Sequence, residues 1–451
     1  MKYFGSSPPF YLLFALVAAC GSEDGAAPAS SAPAPFGNDP SEMPPPGVAD
    51  PATPSEEPVA PGGSDTEGMD PNISLDGSPP GGTDTPPSNV TPPVVTPEPE
   101  PPAPGPPETL RDAAELSGRL IGTAISANKL NNATYAATAR QFNYVTPENE
   151  MKWDAIERNP NVFSFNNADR IVQFAEDNAM QVKGHTLVWH SQLPAWVKAL
   201  TTRDEVLAAM TNHITTAVTH YKGRIHAWDV VNEAFTDGNA RLRGSLAADA
   251  TDPANGMGNS GSDSVFRRLI GEDFIDRAFQ IANAADPDVL LFYNDYNTEG
   301  TTGKANAVFN MVQGMVQRGI PIDGVGMQMH INSAGGVTTQ QLAQNIERLT
   351  GLGLQVVFSE LDVTLCGTAD IAERRQAQRQ RLADVTAACT AQPLCTAITV
   401  WGVSDSDSWR DSACNGGRSE PLLFDANYQP KAAYTAVFDA LVAAPQAAGG
   451  Q

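Results

Sequence analysis

Positive charge is scarce in this chain. Only 28 of its 451 residues are Lys or Arg, against 52 Asp or Glu, and residues 21–108 contain neither Lys nor Arg. From residue 109 onward the balance is milder, 27 basic against 37 acidic, yet still negative. Such a surface repels polyanions, so nucleic acid and anionic lipid are excluded as partners, and a neutral substrate fits better. Metal-binding patterns are also missing. There are six His and no H-x-H pair; His185 and His190 are five apart on one apolar run and therefore tend toward opposite faces. No His lies near the late cysteines, and the C-x5-C spacing of Cys389 and Cys395 is poor for zinc, so no metal site and no cofactor are expected.

Residues 1–20 read as an export signal. Lys2 supplies a minimal positive start, residues 10–17 form a short apolar run, and Val17-Ala18-Ala19-Cys20 follows. Eight apolar residues fall well short of the roughly 20 needed to cross a bilayer. The small-small-Cys ending resembles a bacterial lipoprotein cleavage box, with Cys20 as the lipidated residue; this reading is preferred to an ordinary cleaved signal. Residues 21–108 hold 25 Pro and 15 Asp or Glu. That composition buries too little apolar surface to offset chain entropy and predicts a disordered, extended acidic tether. The expected picture is an exported monomer, a cell-surface or outer-membrane lipoprotein (otherwise secreted), touching membrane only through its N-terminal lipid.

Cysteine usage agrees with export. Apart from Cys20, an even set remains: Cys366, Cys389, Cys395 and Cys414. Cys389 and Cys395 flank a Gln392-Pro393 turn and suit a local disulfide; Cys366 and Cys414 would then pair by elimination, which the sequence leaves open.

From residue 109 to 445 strand-like apolar runs alternate with stretches of helical spacing. The runs are 120–127, 144–150, 182–190, 225–233, 289–297, 324–330, 354–363 and 397–404. Most are continuous, as parallel strands covered on both faces should be. Eight such units in about 330 residues predict an α/β (β/α)8 TIM barrel as the catalytic domain.

A barrel gathers its chemistry at the C-terminal strand ends, which share one face. Seven of the eight tips are rich in carboxylates, amides, imidazoles or indoles. They carry Glu148, Asn149 and Lys152; His185, Trp189 and His190; Asn232 and Glu233; Asn294 to Asn297; Gln328 and His330; Glu360 and Asp362; and Trp401 followed by Asp405 and Trp409. Glu233 and Glu360 each end an apolar strand, where an ionisable group is costly unless used. Two carboxyls across a barrel mouth, roughly 5–5.5 Å apart, are the equipment for cleaving a glycosidic bond with retention. Asn232 suits a sugar hydroxyl, and His330 with Asp362 would keep Glu360 ionised and correctly rotated. Trp189, Trp401 and Trp409 offer flat faces to pyranose rings; Glu148, Asn149, Lys152 and Gln192 suit hydroxyls further along. Trp153, Trp196 and Trp228 are read as structural.

These residues resemble a known family. GLQVVFSELDV at 353–363 is similar to the active-site signature of glycoside hydrolase family 10, the endo-β-1,4-xylanases. It is accompanied, in order, by Glu148-Asn149-Glu150-Met151-Lys152-Trp153-Asp154, GHTLVWHSQLPAW at 184–196, WDVVNEAF at 228–235, YNDYN at 293–297 and Gln328-x-His330. The resemblance spans 112–440. It implies Glu233 as acid/base, Glu360 as nucleophile and Asn232 at the 2-hydroxyl of the cleaved sugar. Glu148, Asn149, Lys152 and Gln192 would contact xylose on the glycone side. His185, Trp189, Tyr296, Gln328, His330, Trp401 and Trp409 would line the cleft. The implied activity is cofactor-free, two-step retaining hydrolysis of xylan and xylo-oligosaccharides, and the Cys389–Cys395 spacing also resembles a disulfide of the family. One departure stands out: the Asn/Gly-rich stretch 244–265 after the acid/base strand is longer than typical. A solvated insertion is a better reading of it than a cation site. Competing readings are a β-1,4-glucanase on the same barrel and a non-catalytic glycan-binding protein; the retention of both glutamates with Asn232, His330 and Asp362 argues against the latter.

Overall fold

Apolar runs with both faces to cover pair side by side until the sheet meets itself. In the computed structural model, which describes residues 106–244, 263–414 and 417–445, nine strands form. They are β1 (Leu120–Ile125), β2 (Tyr144–Pro147), β3 (Gln181–Trp189), β4 (Ala227–Asn232), β5 (Leu290–Asp295), β6 (Gly324–Met327), β7 (His330–Asn332), β8 (Gln355–Thr364) and β9 (Cys395–Val400). Neighbours from β1 to β6 pair in parallel, β6 then pairs with β8, β8 with β9, and β9 with β1. The ring is a closed eight-stranded (β/α)8 barrel. The export segment with Cys20, the proline-rich stretch to 105 and most of the 244–265 insertion lie outside the described residues.

The sixth expected run, 324–330, is not one strand. It breaks at Met329, whose φ is +62°, and His330 begins β7, a short strand outside the ring that pairs with β8 in the register His330↔Asp362. Between strands run helices that bury one stripe: Ala168, Ile171, Val172 and Ala175 of Asn166–Asp177, for example, or Leu342, Ile346 and Leu349 of Thr339–Thr350. Capping boxes at Thr202/Glu205 and Thr338/Gln341 satisfy helix-start N–H groups, a contribution of about 1 kcal/mol each.

The core has two parts. Tyr144, Ala227, Phe292, Val357 and Ala397, all on strands, fill the barrel toward its N-terminal end. The larger cluster lies between strands and helices. Trp228 belongs to it, and Gly184 makes its place: a Cβ there would sit 2.2 Å from the indole. Trp153 is likewise buried, stacked on His213 at 3.8 Å, with Trp196 edge-on at 6.4 Å. Both disulfides form. Cys389–Cys395 closes the turn into β9, and Cys366–Cys414 ties the end of β8 to the loop after β9.

Regular alternation is interrupted at both glutamates, and register also shifts between His185 and Val188 of β3 and between Asp229 and Val231 of β4. On β8 consecutive Ser359 and Glu360 both reach the side chain of Asn294, beside a register break between Phe358 and Leu361. Regular pleating would send them to opposite faces. After β4, Glu233 has φ +53°, so consecutive Asn232 and Glu233 both approach Gln328. Gln192, Asn297 and Met329, beyond β3, β5 and β6, also have positive φ. These four residues place backbone strain of this kind at the barrel mouth.

Candidate active site

Glu233 is buried and receives two side-chain N–H donors: Trp189 Nε1 at 2.9 Å and Gln328 Nε2 at 2.8 Å. Its backbone N–H extends the β4–β5 pairing by donating to Asn294 O at 2.9 Å. Burial pushes its carboxyl up to about 7; the Gln328 bond opposes this, while the charges of Asp295 and Glu360 add to the rise. A proton donor near neutral pH results.

Glu360 is equally buried but differently partnered. Asn294 Nδ2 donates to Oε1 at 2.8 Å, and His330 Nε2 lies 3.3 Å from Oε2. Burial alone would raise its carboxyl. The His330 hydrogen bond, the electrostatic pull of His185 and His330, and the Asn294 amide outweigh it and bring the value down to about 2. His330 is in turn held by Asp362, Nδ1 to Oδ2 at 2.8 Å. Burial opposes its charge, but Asp362 and Glu360 raise the imidazole to about 9. At mildly acidic pH the site therefore holds a carboxylate–imidazolium pair beside a glutamic acid.

β4 and β8 do not face each other squarely; β5 and β6 lie between them on one side of the ring. Those two strands carry the groups that bridge the glutamates. Asn294 Nδ2 donates to Asn232 Oδ1 at 2.9 Å as well as to Glu360, and Gln328 reaches Glu233 with Asn232 Oδ1 3.5 Å away.

Around this centre the other expected residues divide into groups. Lys152 Nζ donates to Asn149 Oδ1 (3.0 Å) and Gln192 Oε1 (2.7 Å), and Gln192 Nε2 donates to Asn149 (3.1 Å). The ammonium also lies 4.9 Å from the Trp189 ring, joining this cluster to Glu233's donor. Glu148 accepts from Ser126 Oγ at 2.8 Å. His185 Nδ1 is paired with Asp229 at 2.9 Å and Trp401 packs against its ring at 5.3 Å. Trp189 and Trp401 are nearly covered, whereas Trp409 is half-buried beside His330 at 5.2 Å. Tyr296 accepts from Arg243 Nη2 at 2.7 Å, with Lys304 Nζ 3.4 Å from its ring. His190 lies beside this group: its ring nitrogens are buried with no hydrogen-bond partner among the described residues, in a small pocket lined by Glu233, Phe266 and Phe274. Asp405 serves the fold, held by Lys431 at 2.9 Å and the Leu422 N–H at 2.8 Å.

Several participants were not among the expected site residues. Asn294 stood in the YNDYN tip and was the one with a visible signal. Arg243, which donates to the Glu233 carbonyl at 2.9 Å, and Arg410, which pairs with Asp362, lie in loops whose folding no local pattern announces. Asp229 and Lys183, 2.7 Å apart, are interior charges on the expected strands.

Residues 109–440 match the sequence profile of Glycosyl hydrolase family 10. The chain is 38% identical over 319 residues to endo-1,4-beta-xylanase 3 of Hypocrea jecorina, covering 70% of this chain and 80% of that protein. It is 38% identical over 301 residues to endo-1,4-beta-xylanase B of Thermotoga neapolitana, covering 66% and 80%. Among solved structures, xylanase 10B of Thermotoga petrophila RKU-1 in complex with xylobiose is similar with a TM-score of 0.68 at 37% identity, over 75% of this chain and 98% of that one.

Proposed function

The chain belongs to glycosyl hydrolase family 10 and is an endo-1,4-β-xylanase, and from that premise we propose the division of labour at its mouth: Glu233 is the acid/base and Glu360 the nucleophile of a two-step retaining cleavage of xylan. The observation that carries the assignment is the opposite treatment of two neighbouring carboxyls, one held protonated by burial and one held ionised against it.

In the first step a Glu360 oxygen attacks the anomeric carbon while Glu233 gives its proton to the glycosidic oxygen. The C–O bond breaks, the aglycone leaves as an alcohol, and the glycone remains as an ester on Glu360. Forming the ester removes the Glu360 charge, one of the factors that had raised Glu233. Glu233 then takes a proton from water, which attacks the anomeric carbon from the face the aglycone left as the ester bond to Glu360 breaks and its carboxylate is restored. Two inversions give net retention. Asn232 Oδ1 is occupied by Asn294, so its Nδ2 is the group free to donate to the 2-hydroxyl, where the bond strengthens as charge develops.

The Asn149–Lys152–Gln192 cluster with Glu148 supports a role in binding xylose on the glycone side, and His185, Trp189, Tyr296, Gln328, His330, Trp401 and Trp409 are assigned to the cleft. Residues 109–445 form the catalytic domain of this reading. It works as a monomer, exported, and is held at the cell surface by a lipid on Cys20 with residues 21–108 as tether. Two disulfides suit an oxidising compartment.

The test is hydrolysis by the full chain of xylan and of soluble cellulose, followed by new reducing ends, with the anomer first released from a xylo-oligosaccharide read by proton NMR. Release from xylan with the β-anomer formed first is expected. An α-anomer formed first would overturn the retaining assignment.

A further inference from the structure

Asp362 holds His330 with one oxygen, and its second oxygen is also taken. Oδ1 accepts from Arg410 Nη1, and the Asp362 side chain is fully buried beneath a guanidinium that is 14% exposed. Arg410 directly follows Trp409, and its guanidinium carbon lies 5.7 Å from that indole's centre. The backbone there is secured: Arg410 N–H donates to Ser408 Oγ at 3.1 Å, and its carbonyl accepts from Ser419 Oγ. The same segment is tied to the end of β8 three times. Val363 N–H donates to Pro421 O at 3.0 Å, Leu365 N–H donates to Ser419 O at 2.9 Å, and Cys366 is bonded to Cys414.

We propose that Arg410 is a positioning residue for the nucleophile: by occupying Asp362 Oδ1 it fixes that carboxylate so that Oδ2 faces His330 Nδ1 and His330 Nε2 faces Glu360. A carboxylate with a single partner turns about its Cβ–Cγ bond, and a buried one with a single partner is poorly compensated. Charge argues the same way. The charged and titratable groups around Glu360 are His330 from β7, His185 from β3 and Lys152 beyond β2, with Glu233 beyond β4 and Asp362 two residues along β8. Arg410, from the loop after β9, balances Asp362. Without it His330 answers two carboxylates alone, and ionised Glu360 is less favoured. The disulfide gives this arrangement a covalent anchor outside the reaction centre.

The proposal rests on Glu360 being the nucleophile, which is checked separately by mass-spectrometric mapping of the residue labelled in the wild-type chain by an activated 2-deoxy-2-fluoro-xylobioside. For Arg410 itself the substrate is 2,4-dinitrophenyl β-xylobioside. Its leaving group needs no proton, so the acidic limb of kcat/KM reports the nucleophile alone. Arg410→Met is expected to move that limb upward by about one pH unit and so to lower kcat/KM by up to about tenfold on the acidic limb itself, kcat changing more than KM. Arg410→Lys returns the charge and should bring the limb back toward wild type. An unmoved limb in a folded Met variant overturns the proposal, whatever its rate, and so do equal shifts in the Met and Lys variants, which would point to lost packing. Should the Met variant not fold, the Cys366→Ser/Cys414→Ser double variant loosens the segment without altering the cluster. An upward shift is expected there too, and none would overturn the proposal.

Discussion

Asn294 donates its side-chain amide to Glu360 at 2.8 Å, and the same nitrogen lies 2.9 Å from Asn232 Oδ1. One amide thus orients both the group assigned to attack and the group assigned to the 2-hydroxyl. The two tasks are coupled through a residue that need not touch substrate.

Asn294→Ala should therefore lower kcat more than it raises KM, by about 10- to 100-fold in kcat/KM, since two buried charge- or dipole-directed bonds go together. Steady-state kinetics on an aryl xylobioside and its 2-deoxy analogue would check this. The variant should be less able than wild type to distinguish the two substrates. Equal discrimination would break the link between Asn294 and Asn232.

The pH profile follows from the two carboxyls. Glu360 must be ionised, so kcat/KM rises with pH through about 2; Glu233 must be protonated, so it falls with pH through about 7. His330, at about 9, stays charged across that window. With a dinitrophenyl leaving group the fall near 7 should disappear from kcat/KM. If it persists, another group controls the basic limb.

Glu233→Ala should lose about 10²–10⁴-fold on xylan, the usual worth of general acid catalysis, yet still form the glycosyl-enzyme from substrates with good leaving groups. Azide should then rescue turnover and yield β-xylosyl azides, identified by NMR. If Glu360→Ala gave that product instead, the two roles would be reversed.

Gly184→Ala tests the fold apart from the chemistry. The added Cβ would meet the Trp228 indole at 2.2 Å, inside a packed cluster, so a loss of about 1–3 kcal/mol or more is expected. Urea unfolding monitored by Trp fluorescence measures it, and a change below about 0.5 kcal/mol would mean that the indole repacks freely.

Much of this was legible in the chain. Parallel strands buried on both faces are written as apolar runs, so Glu233 and Glu360 stand out at their ends, and eight runs imply one shared face for the tips. The expected grouping of Asn149, Lys152 and Gln192 also appears as a hydrogen-bonded cluster. The break within 324–330 was not legible, because a single left-handed residue such as Met329 leaves no trace in hydrophobic pattern. Arg410 was invisible for a different reason: it meets Asp362 across 48 residues, through a loop whose path is set by contacts with β8.

By itself the sequence determined the strand order along the chain, the barrel class and which carboxyls would stand at its mouth. Those depend on local pattern: apolar content, helical spacing and the position of polar residues at run ends. Tertiary structure decided the ionisation and aim of each carboxyl. Glu233 and Glu360 have the same side chain, one just past the end of β4 and the other within β8, four residues before its end. One meets an indole and an amide, the other an imidazole held by Asp362 and Arg410. Burial and charge at a site are sums over neighbours distant in sequence, and only the closed barrel brings those neighbours together.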